Sequence, residues 1–251
     1  MDIFSACRKG KIEVVKEYLL EGGDPNLRNE YGISLLHSAT NIKGGEVINL
    51  LLDKNADIDK QANNGFTPLH IACWRENLKA VEELLHRGCK VNICSDMGLT
   101  PLLISSWKDL EITKRLLAAT DGAEPDICDR HGDSPLYNAV KIAKNLEMVK
   151  ELLKAGATVD PINNKEVTPL NVAVSRGRID FVKILLNCGA DPNRLDSYGK
   201  CPSFYVHPRK NRDEIISQLS NHFPSLRDVS LKCIRCSRIN ITAIPNDAIF
   251  N

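Results

Sequence analysis

One four-residue pattern returns along this chain every 33 or 34 residues. Its best-formed copy is Thr67–Pro68–Leu69–His70, and variants of it stand at Ser34–Leu35–Leu36–His37, Thr100–Pro101–Leu102–Leu103, Ser134–Pro135–Leu136–Tyr137, Thr168–Pro169–Leu170–Asn171 and Cys201–Pro202–Ser203–Phe204. From Leu35 through the prolines at 68, 101, 135, 169 and 202, the steps are 33, 33, 34, 34 and 33. A fixed period of this length predicts stacked copies of one small unit, each packed only on its neighbours.

Three further sets of residues repeat in the same phase. A small residue that lets neighbouring helices approach closely recurs as Ala6, Ala39, Ala72, Ser105, Ala139 and Ala173. A Leu–Leu pair, expected to lie on a second helix and to bury against the next unit, recurs at 19–20, 51–52, 84–85, 116–117, 152–153 and 185–186. A turn former that ends this helix in left-handed backbone follows as Gly22, Asn55, Gly88, Gly122, Gly156 and Gly189. Each unit is therefore predicted to be turn, short helix, turn, longer helix.

The start of the first helix has its own signature. Thr followed by Pro predicts an N-cap and a first helical residue, because the hydroxyl accepts a free amide and Pro needs no amide partner there. Residues 67–72, Thr-Pro-Leu-His-Ile-Ala, match the ankyrin-repeat signature, and the period matches as well. The chain thus resembles ankyrin-repeat proteins over roughly residues 1–222. The resemblance implies an all-α solenoid whose β-turn tips and first helices line a concave face that binds protein.

The domain boundaries follow from the phase of the repeats. We expect an N-terminal capping repeat at 1–31, five repeats at 32–198, a degenerate repeat at 199–222 and a separate tail at 224–251. The first unit lacks the Thr-Pro start, and Pro208 is expected to disturb the first helix of the last unit. Terminal repeats differ from internal ones because one of their sides has no neighbouring repeat.

Composition excludes several classes of function. The 33 Lys and Arg residues nearly balance the 32 Asp and Glu residues, and only 5% of residues are aromatic. A balanced charge attracts neither nucleic acid nor an anionic membrane over distance, and few aromatic rings are available to stack on bases. Met1–Phe4 runs into a charged segment without the apolar stretch of a signal peptide. We expect no nucleic-acid or membrane partner, and the scattered cysteines indicate reduced thiols in the cytoplasm or nucleus.

The tail allows two interpretations. An apolar stripe at helical spacing, formed by Leu226, Val229, Cys233 and Ile234, predicts an amphipathic helix that caps the last repeat. The tail also resembles a SOCS box, since Leu226, Ser230 and Ile234 have the spacing of that family's first helix, and Ile244–Pro245 lie where the family has its cullin-selecting segment. It departs from the family in having Ser230 where Cys is common and in lacking the second proline of that segment.

The SOCS-box resemblance implies a concrete role. Leu226, Ser230 and Ile234 would bind elongin B–elongin C by the helix-in-groove mode, and Ile244 and Pro245 would select the cullin of a cullin–RING ubiquitin ligase. The ankyrin repeats would hold an unidentified protein substrate, and catalysis would belong to the partner enzymes. The general alternative is an ankyrin scaffold or inhibitor whose tail is only a cap.

Exposed aromatic residues are the candidate contacts with that substrate. Trp74 and Trp107 occupy one position in neighbouring repeats, and its equivalents Arg8, Asn41, Lys141 and Ser175 are polar. Two tryptophans in a polar position indicate either a binding hot spot or rings that shield a helix end. The tip residues Tyr31, Met97, His131 and Tyr198 are further candidates, and Phe66 is a tip residue with a structural alternative.

No constellation indicates catalysis or a cofactor. His37 and His70 stand at the signature position, and the resemblance implies a structural hydrogen bond for them. Cys233 and Cys236 have metal-ligand spacing, but a structural zinc site needs four ligands. Only Cys201, His207 and His222 stand nearby, so we interpret Cys233 as an apolar helix residue. We expect no metal, no cofactor and no enzymatic activity.

Overall fold

The computed structural model describes residues 2–41, 45–142, 145–206 and 211–222. Within these ranges it contains thirteen α-helices, one 3-10 helix and no β-strand, which confirms the predicted all-α repeat fold. The chain divides into two compact units, residues 1–164 and residues 165–251. No helix in the described ranges combines the length and the apolar character needed to cross a membrane.

The described part of the first unit contains five helix pairs. They are α1 (Ile3–Arg8) with α2 (Ile12–Leu20), α3 (Leu35–Ala39) with α4 (Glu46–Asp53), α5 (Pro68–Trp74) with α6 (Leu78–His86), α7 (Pro101–Lys108) with α8 (Leu110–Leu117), and α9 (Pro135–Ile142) with α10 (Leu146–Lys154). Consecutive first helices pack on each other, and so do consecutive second helices. Each repeat therefore completes the core of the one before it, as stacking requires.

The second unit begins with one regular pair, α11 (Pro169–Ser175) and α12 (Ile179–Asn187). A 3-10 turn, Pro202–Tyr205, stands where the next first helix is expected, and α13 (Arg212–His222) follows. The 3-10 turn packs on α11, and α13, with Ile215 and Leu219 buried, packs on α12. The last described repeat thus has a shortened first helix.

The predicted helix starts are confirmed. The hydroxyls of Thr67, Thr100 and Thr168 each cap a first helix and accept the amide three residues downstream. Each is followed by proline at the first helical position, where no amide partner is lost. Ser34 caps α3 in the same way without a following proline.

The small residues and the leucine pairs differ in their burial. All six members of the small set are fully buried, so the first helices approach closely as predicted. In every pair the first leucine is buried, but of the second leucines only Leu186 is buried, and Leu20 is 70% exposed. The expectation that both leucines bury is wrong for the first unit, because consecutive residues of an α-helix point about 100° apart.

Most turn formers adopt the predicted left-handed backbone, including Asn55 at φ 61°. Gly122 lies outside that region, in the longer connection after α8. Two glutamates also have left-handed backbone, Glu76 at φ 54° and Glu166 at φ 56°. Glu76 occupies the turn between α5 and α6, and two of the equivalent turns have glycine there, Gly10 and Gly177. A non-glycine residue in this conformation costs roughly 1–2 kcal/mol.

Candidate partner-binding surface

Main-chain hydrogen bonds join the repeat tips of the first unit into a ladder. The amides of Asn63, Asp96, Arg130 and Asn164 donate to the carbonyls of Tyr31, Asn64, Met97 and His131, respectively, over 2.9–3.1 Å. Within one tip, the Asn29 carboxamide oxygen also accepts the amides of Tyr31 and Ile33, at 3.0 Å each. The backbone of each tip is therefore held independently of its outward side chain.

The predicted tip residues are exposed to solvent. Tyr31 is 66% exposed, Met97 is 48% exposed and His131 is exposed. In the second unit Tyr198 is 67% exposed, and its amide donates to the Asp196 carboxylate at 2.9 Å. Phe66 differs from these, because it is half-buried and its ring stacks on that of His70 at 5.2 Å. The structural alternative for Phe66 is therefore the one the contacts support.

Trp74 and Trp107 have different environments although they share one repeat position. Trp74 is 42% exposed, and the Lys108 ammonium lies 4.7 Å from the centre of its ring. The same ammonium donates to the Trp74 carbonyl at 3.1 Å and forms an ion pair with Glu76 at 3.2 Å. Trp107 is half-buried, and its indole nitrogen is buried with no hydrogen-bond partner among the described residues. Of the two rings, Trp74 is the one presented to solvent.

Trp74 belongs to a larger surface at the ends of the first helices. We call this surface the helix-end row and define it, in the first unit, as Arg8, Lys9, Trp74, Arg75, Trp107, Lys108, Lys141 and Ile142. Lys141 pairs with Asp133 at 3.3 Å, and Lys108 pairs with Glu76. None of the ion pairs found among the described residues involves Arg8, Lys9 or Arg75, and all three are exposed. The helix-end row is therefore a basic surface with an exposed indole.

Glu76 and Lys108 were not predicted from the sequence as members of this surface. The available signal was local: Glu76 stands where two of the other repeats have glycine, Gly10 and Gly177. Lys108 gave no signal of its own, because a lysine at a helix end is ordinary. Its contact with Trp74 depends on how closely neighbouring repeats approach.

His37 and His70 make the structural bonds that the resemblance implied. Each ring bonds through Nδ1 to the capping hydroxyl of its own helix, and through Nε2 to a carbonyl of the next repeat, Phe66 for His37 and Leu99 for His70. Burial lowers the pKa of both rings, to about 4 for His70. Both imidazoles are therefore neutral near pH 7 and fully engaged in the repeat.

The potential metal ligands and the buried thiols of the described residues give no sign of a reactive centre. The described residues hold no cluster of three or more His, Cys, Asp or Glu side chains that could bind a metal. Burial raises the pKa of the Cys7 and Cys89 thiols to about 12 and that of Cys73 further, so none of the three is an activated nucleophile. The tail residues Leu226, Ser230, Ile234, Ile244 and Pro245 lie outside the described residues, as do His207, Cys233 and Cys236.

Comparison with known proteins agrees with this architecture. The model of the family described as ankyrin repeats (3 copies) matches residues 3–95 and 96–196. The crystal structure of the ankyrin repeat domain of Bcl-3, of the IkappaB protein family, superimposes with a TM-score of 0.74 at 26% identity and covers 86% of this chain and 98% of that one. The chain belongs to the ankyrin repeat family, and ankyrin repeats are protein-binding scaffolds.

Two curated relatives extend the comparison. Ankyrin repeat protein FPV014 of fowlpox virus is 30% identical over 209 residues, which are 82% of this chain and 39% of the relative. E3 ubiquitin-protein ligase KEG of Arabidopsis thaliana is 38% identical over 90 residues, 36% of this chain. This chain spans only 5% of KEG, so the similarity concerns the repeats and not the rest of that protein.

Proposed function

We propose that this chain is a substrate-recognition subunit of an elongin–cullin–RING ubiquitin ligase. In this proposal the tips and the helix-end row hold a protein substrate, and the tail binds elongin B–elongin C. The chain supplies proximity between substrate and ligase, and its partners carry out the chemistry. The exposed Trp74 ring, held against Lys108, is the observation that carries the substrate-binding half, because Trp dominates many binding hot spots.

The ligase half of the proposal rests on the tail sequence. Leu226, Ser230 and Ile234 recur at four-residue spacing, which predicts one side of a helix. This order of an ankyrin array followed by such a helix resembles the ankyrin-repeat and SOCS-box family. The name of KEG adds limited support, since it shows that repeats similar to these occur within a ubiquitin-protein ligase.

The alternative proposal is an ankyrin scaffold or inhibitor whose tail caps the last repeat. The apolar residues Leu226, Val229 and Ile234 fit that role as well. The two proposals differ in what residues 224–251 do for the fold. A capping tail stabilises the repeats, so its deletion lowers the melting temperature, whereas an elongin-binding tail can be deleted with the repeats unchanged and the partner lost.

Binding to purified elongin B–elongin C tests the ligase proposal directly. The parent chain is compared with a Leu226→Ala, Ile234→Ala double variant by calorimetry, with thermal melts of both. A Leu231→Ala, Ile239→Ala variant is the matched control, since it removes the same side-chain types from the same tail outside the proposed contact. We expect binding by the parent and the control and its loss in the Leu226/Ile234 variant.

Absence of elongin binding by a folded parent chain would reject the ligase proposal. A second experiment tests recruitment of the cullin. Replacing Ile244 and Pro245 with alanine is expected to keep elongin binding and to abolish recruitment of a cullin. Co-elution of the cullin with the assembled elongin complex in gel filtration measures this recruitment.

A further inference from the structure

We propose that the helix-end row recognises an acidic segment that also carries apolar side chains, with Trp74 as the anchor and Lys108 as the charged partner. The inference deepens the proposed function and rests only on its substrate-binding half, in which residues 1–164 hold the partner protein. Nothing in it depends on the tail.

Trp74 provides the apolar part of the site. Its ring is 42% exposed at the end of α5, and the Lys108 ammonium lies 4.7 Å from the ring centre. An indole that stays partly exposed beside a cation can still bury much of its area against a ligand, and such rings give large contact area at low entropic cost. Ile142, which is 48% exposed, adds apolar area to the helix-end row two repeats away.

The charges of the helix-end row determine the sign of the charge that a ligand must carry. Lys108 and Lys141 each face one carboxylate, Glu76 and Asp133 respectively. Arg8, Lys9 and Arg75 are exposed on the same row and enter none of the ion pairs found among the described residues. The chain as a whole has a formal net charge of only +1, so this excess is local. A partner segment of opposite sign is the complement of such a surface.

The carboxylate next to Lys108 in the sequence is already engaged. Asp109 follows Lys108 and caps α8, where its Oδ1 accepts the amide of Ile112 at 2.9 Å. It therefore neutralises a helix N-terminus rather than the cations of the row. On Lys108, the charged partner of the proposed site, Glu76 is the acid that an incoming segment has to displace.

Glu76 is suited to being displaced. Its side chain is 51% exposed, and an exposed ion pair such as the one it forms with Lys108 is worth little. Its backbone lies at φ 54° in the turn between α5 and α6, and its amide donates to the Cys73 carbonyl at 3.1 Å, so the turn has a main-chain hydrogen bond that does not involve the ion pair. A carboxylate from the partner can take its place on Lys108 while the Glu76 side chain turns to solvent.

A defined peptide pair tests the charge preference. The probe is a fluorescein-labelled 12-residue peptide of repeated Asp-Glu-Leu, and its counterpart has Lys-Arg-Leu in the same order. Binding to the full chain is measured by anisotropy and by the emission of the chain's two tryptophans. We expect the acidic peptide to bind, to change the tryptophan emission, and to bind more weakly as the salt concentration rises. We expect the basic peptide neither to bind nor to change the emission.

Charge-changing variants locate the site. An Arg75→Glu, Lys108→Glu variant is expected to weaken acidic-peptide binding by about tenfold, since each reversal removes one partly exposed ionic contact. Glu76→Gln is expected to strengthen it by a few fold, because the competing carboxylate is gone. Arg115→Glu and Glu82→Gln are the matched controls: they change an equivalent ion pair, 2.8 Å long, between the second helices α6 and α8.

The outcomes separate this inference from the proposed function. Equal binding of both peptides, or equal effects of the row and control variants, overturns the acidic preference even if elongin B–elongin C still binds the tail. Loss of elongin binding with the acidic preference intact rejects the ligase proposal and leaves the site. All the exchanged side chains are exposed or half-exposed, and melting temperatures within a few degrees of the parent verify that each variant is folded.

Discussion

His70 donates a hydrogen bond from Nε2 to the carbonyl oxygen of Leu99, 2.8 Å away and 29 residues downstream. A carbonyl can only accept, so Nε2 carries the proton and Nδ1 accepts from the hydroxyl and the amide of Thr67, at 2.8 and 3.1 Å. One neutral ring therefore hydrogen-bonds to the N-cap residue of its own helix and to the tip loop of the next repeat. His37 makes the same connection to Phe66 at 2.9 Å.

The neutral state of His70 predicts a pH-dependent stability. Burial lowers the pKa of the ring from 6.5 to about 4. Between these values the unfolded chain binds a proton that the folded chain does not, so the free energy of unfolding falls as the pH drops through this window. The contribution is complete above pH 6.5, and roughly 3 kcal/mol of it is lost by pH 4. Urea unfolding from pH 4 to 7.5 measures the slope.

A His70→Asn variant isolates this residue from the other titrating groups. We expect it to be less stable than the parent at pH 7, because the bond to Leu99 is lost, and to differ less from the parent as the pH falls. His37, whose pKa is lowered by the same burial, keeps part of the slope in the variant. Parallel pH profiles for the two proteins would contradict the assignment of the slope to His70.

Asn171 occupies the histidine position of a later repeat and makes only half of the connection. Its carboxamide oxygen accepts the amide and hydroxyl of Thr168, but its Nδ2 is buried without a hydrogen-bond partner among the described residues. The Lys200 carbonyl, 29 residues on, accepts the amide of Asp196 as the Leu99 carbonyl accepts that of Ser95. Asn171→His is therefore expected to reach this carbonyl and to raise the free energy of unfolding by about 1 kcal/mol.

Chemical unfolding of the Asn171→His variant at pH 7.5, where an imidazole at this position is neutral, provides the measurement. Asn171→Ala is the comparison, since it removes the unpaired amide without adding the bond. A histidine variant no more stable than the alanine variant would show that the ring does not bridge the repeats here.

The left-handed glutamates predict two stabilising substitutions. Glu76→Gly and Glu166→Gly relieve the backbone strain of a non-glycine residue at φ 54° and 56°. Glycine adopts this left-handed conformation without a steric cost. The greater freedom of glycine in the unfolded chain offsets part of the gain, so we expect each change to add about 0.5–1 kcal/mol. Glu82→Gly, within helix α6, is the control and should instead destabilise by about 1 kcal/mol. Thermal and urea unfolding of the three variants give the comparison.

The two tryptophans should respond differently to truncation. Trp74→Ala removes a ring that is 42% exposed, and we expect a loss of less than about 1 kcal/mol. Trp107→Ala removes a half-buried ring, and we expect a loss of about 2 kcal/mol. Equal losses in urea unfolding would mean that the shared repeat position, and not the local environment, sets the role of each ring.

Repeat phase explains how much of the fold could be predicted. The caps at Thr67, Thr100 and Thr168 and the buried small residues follow from residue types that recur in one position, so each copy supports the others. The difference between Trp74 and Trp107 could not be predicted in this way, because two residues in the same position carry the same signal. It depends on neighbours, such as Lys108 beside Trp74, that only the packed structure brings together. The tail, with one copy and no phase, stays a sequence prediction.

The ladder between the tips has a consequence for how selectivity can change over evolution. Tyr31, Met97 and His131 take part in it through their carbonyl oxygens alone. Exchanging one of these side chains therefore alters what a partner meets without removing a bond that keeps the tip in place. New specificities can arise by single substitutions that leave the scaffold intact, and a library randomised at these three positions should yield mostly folded proteins with different ligands.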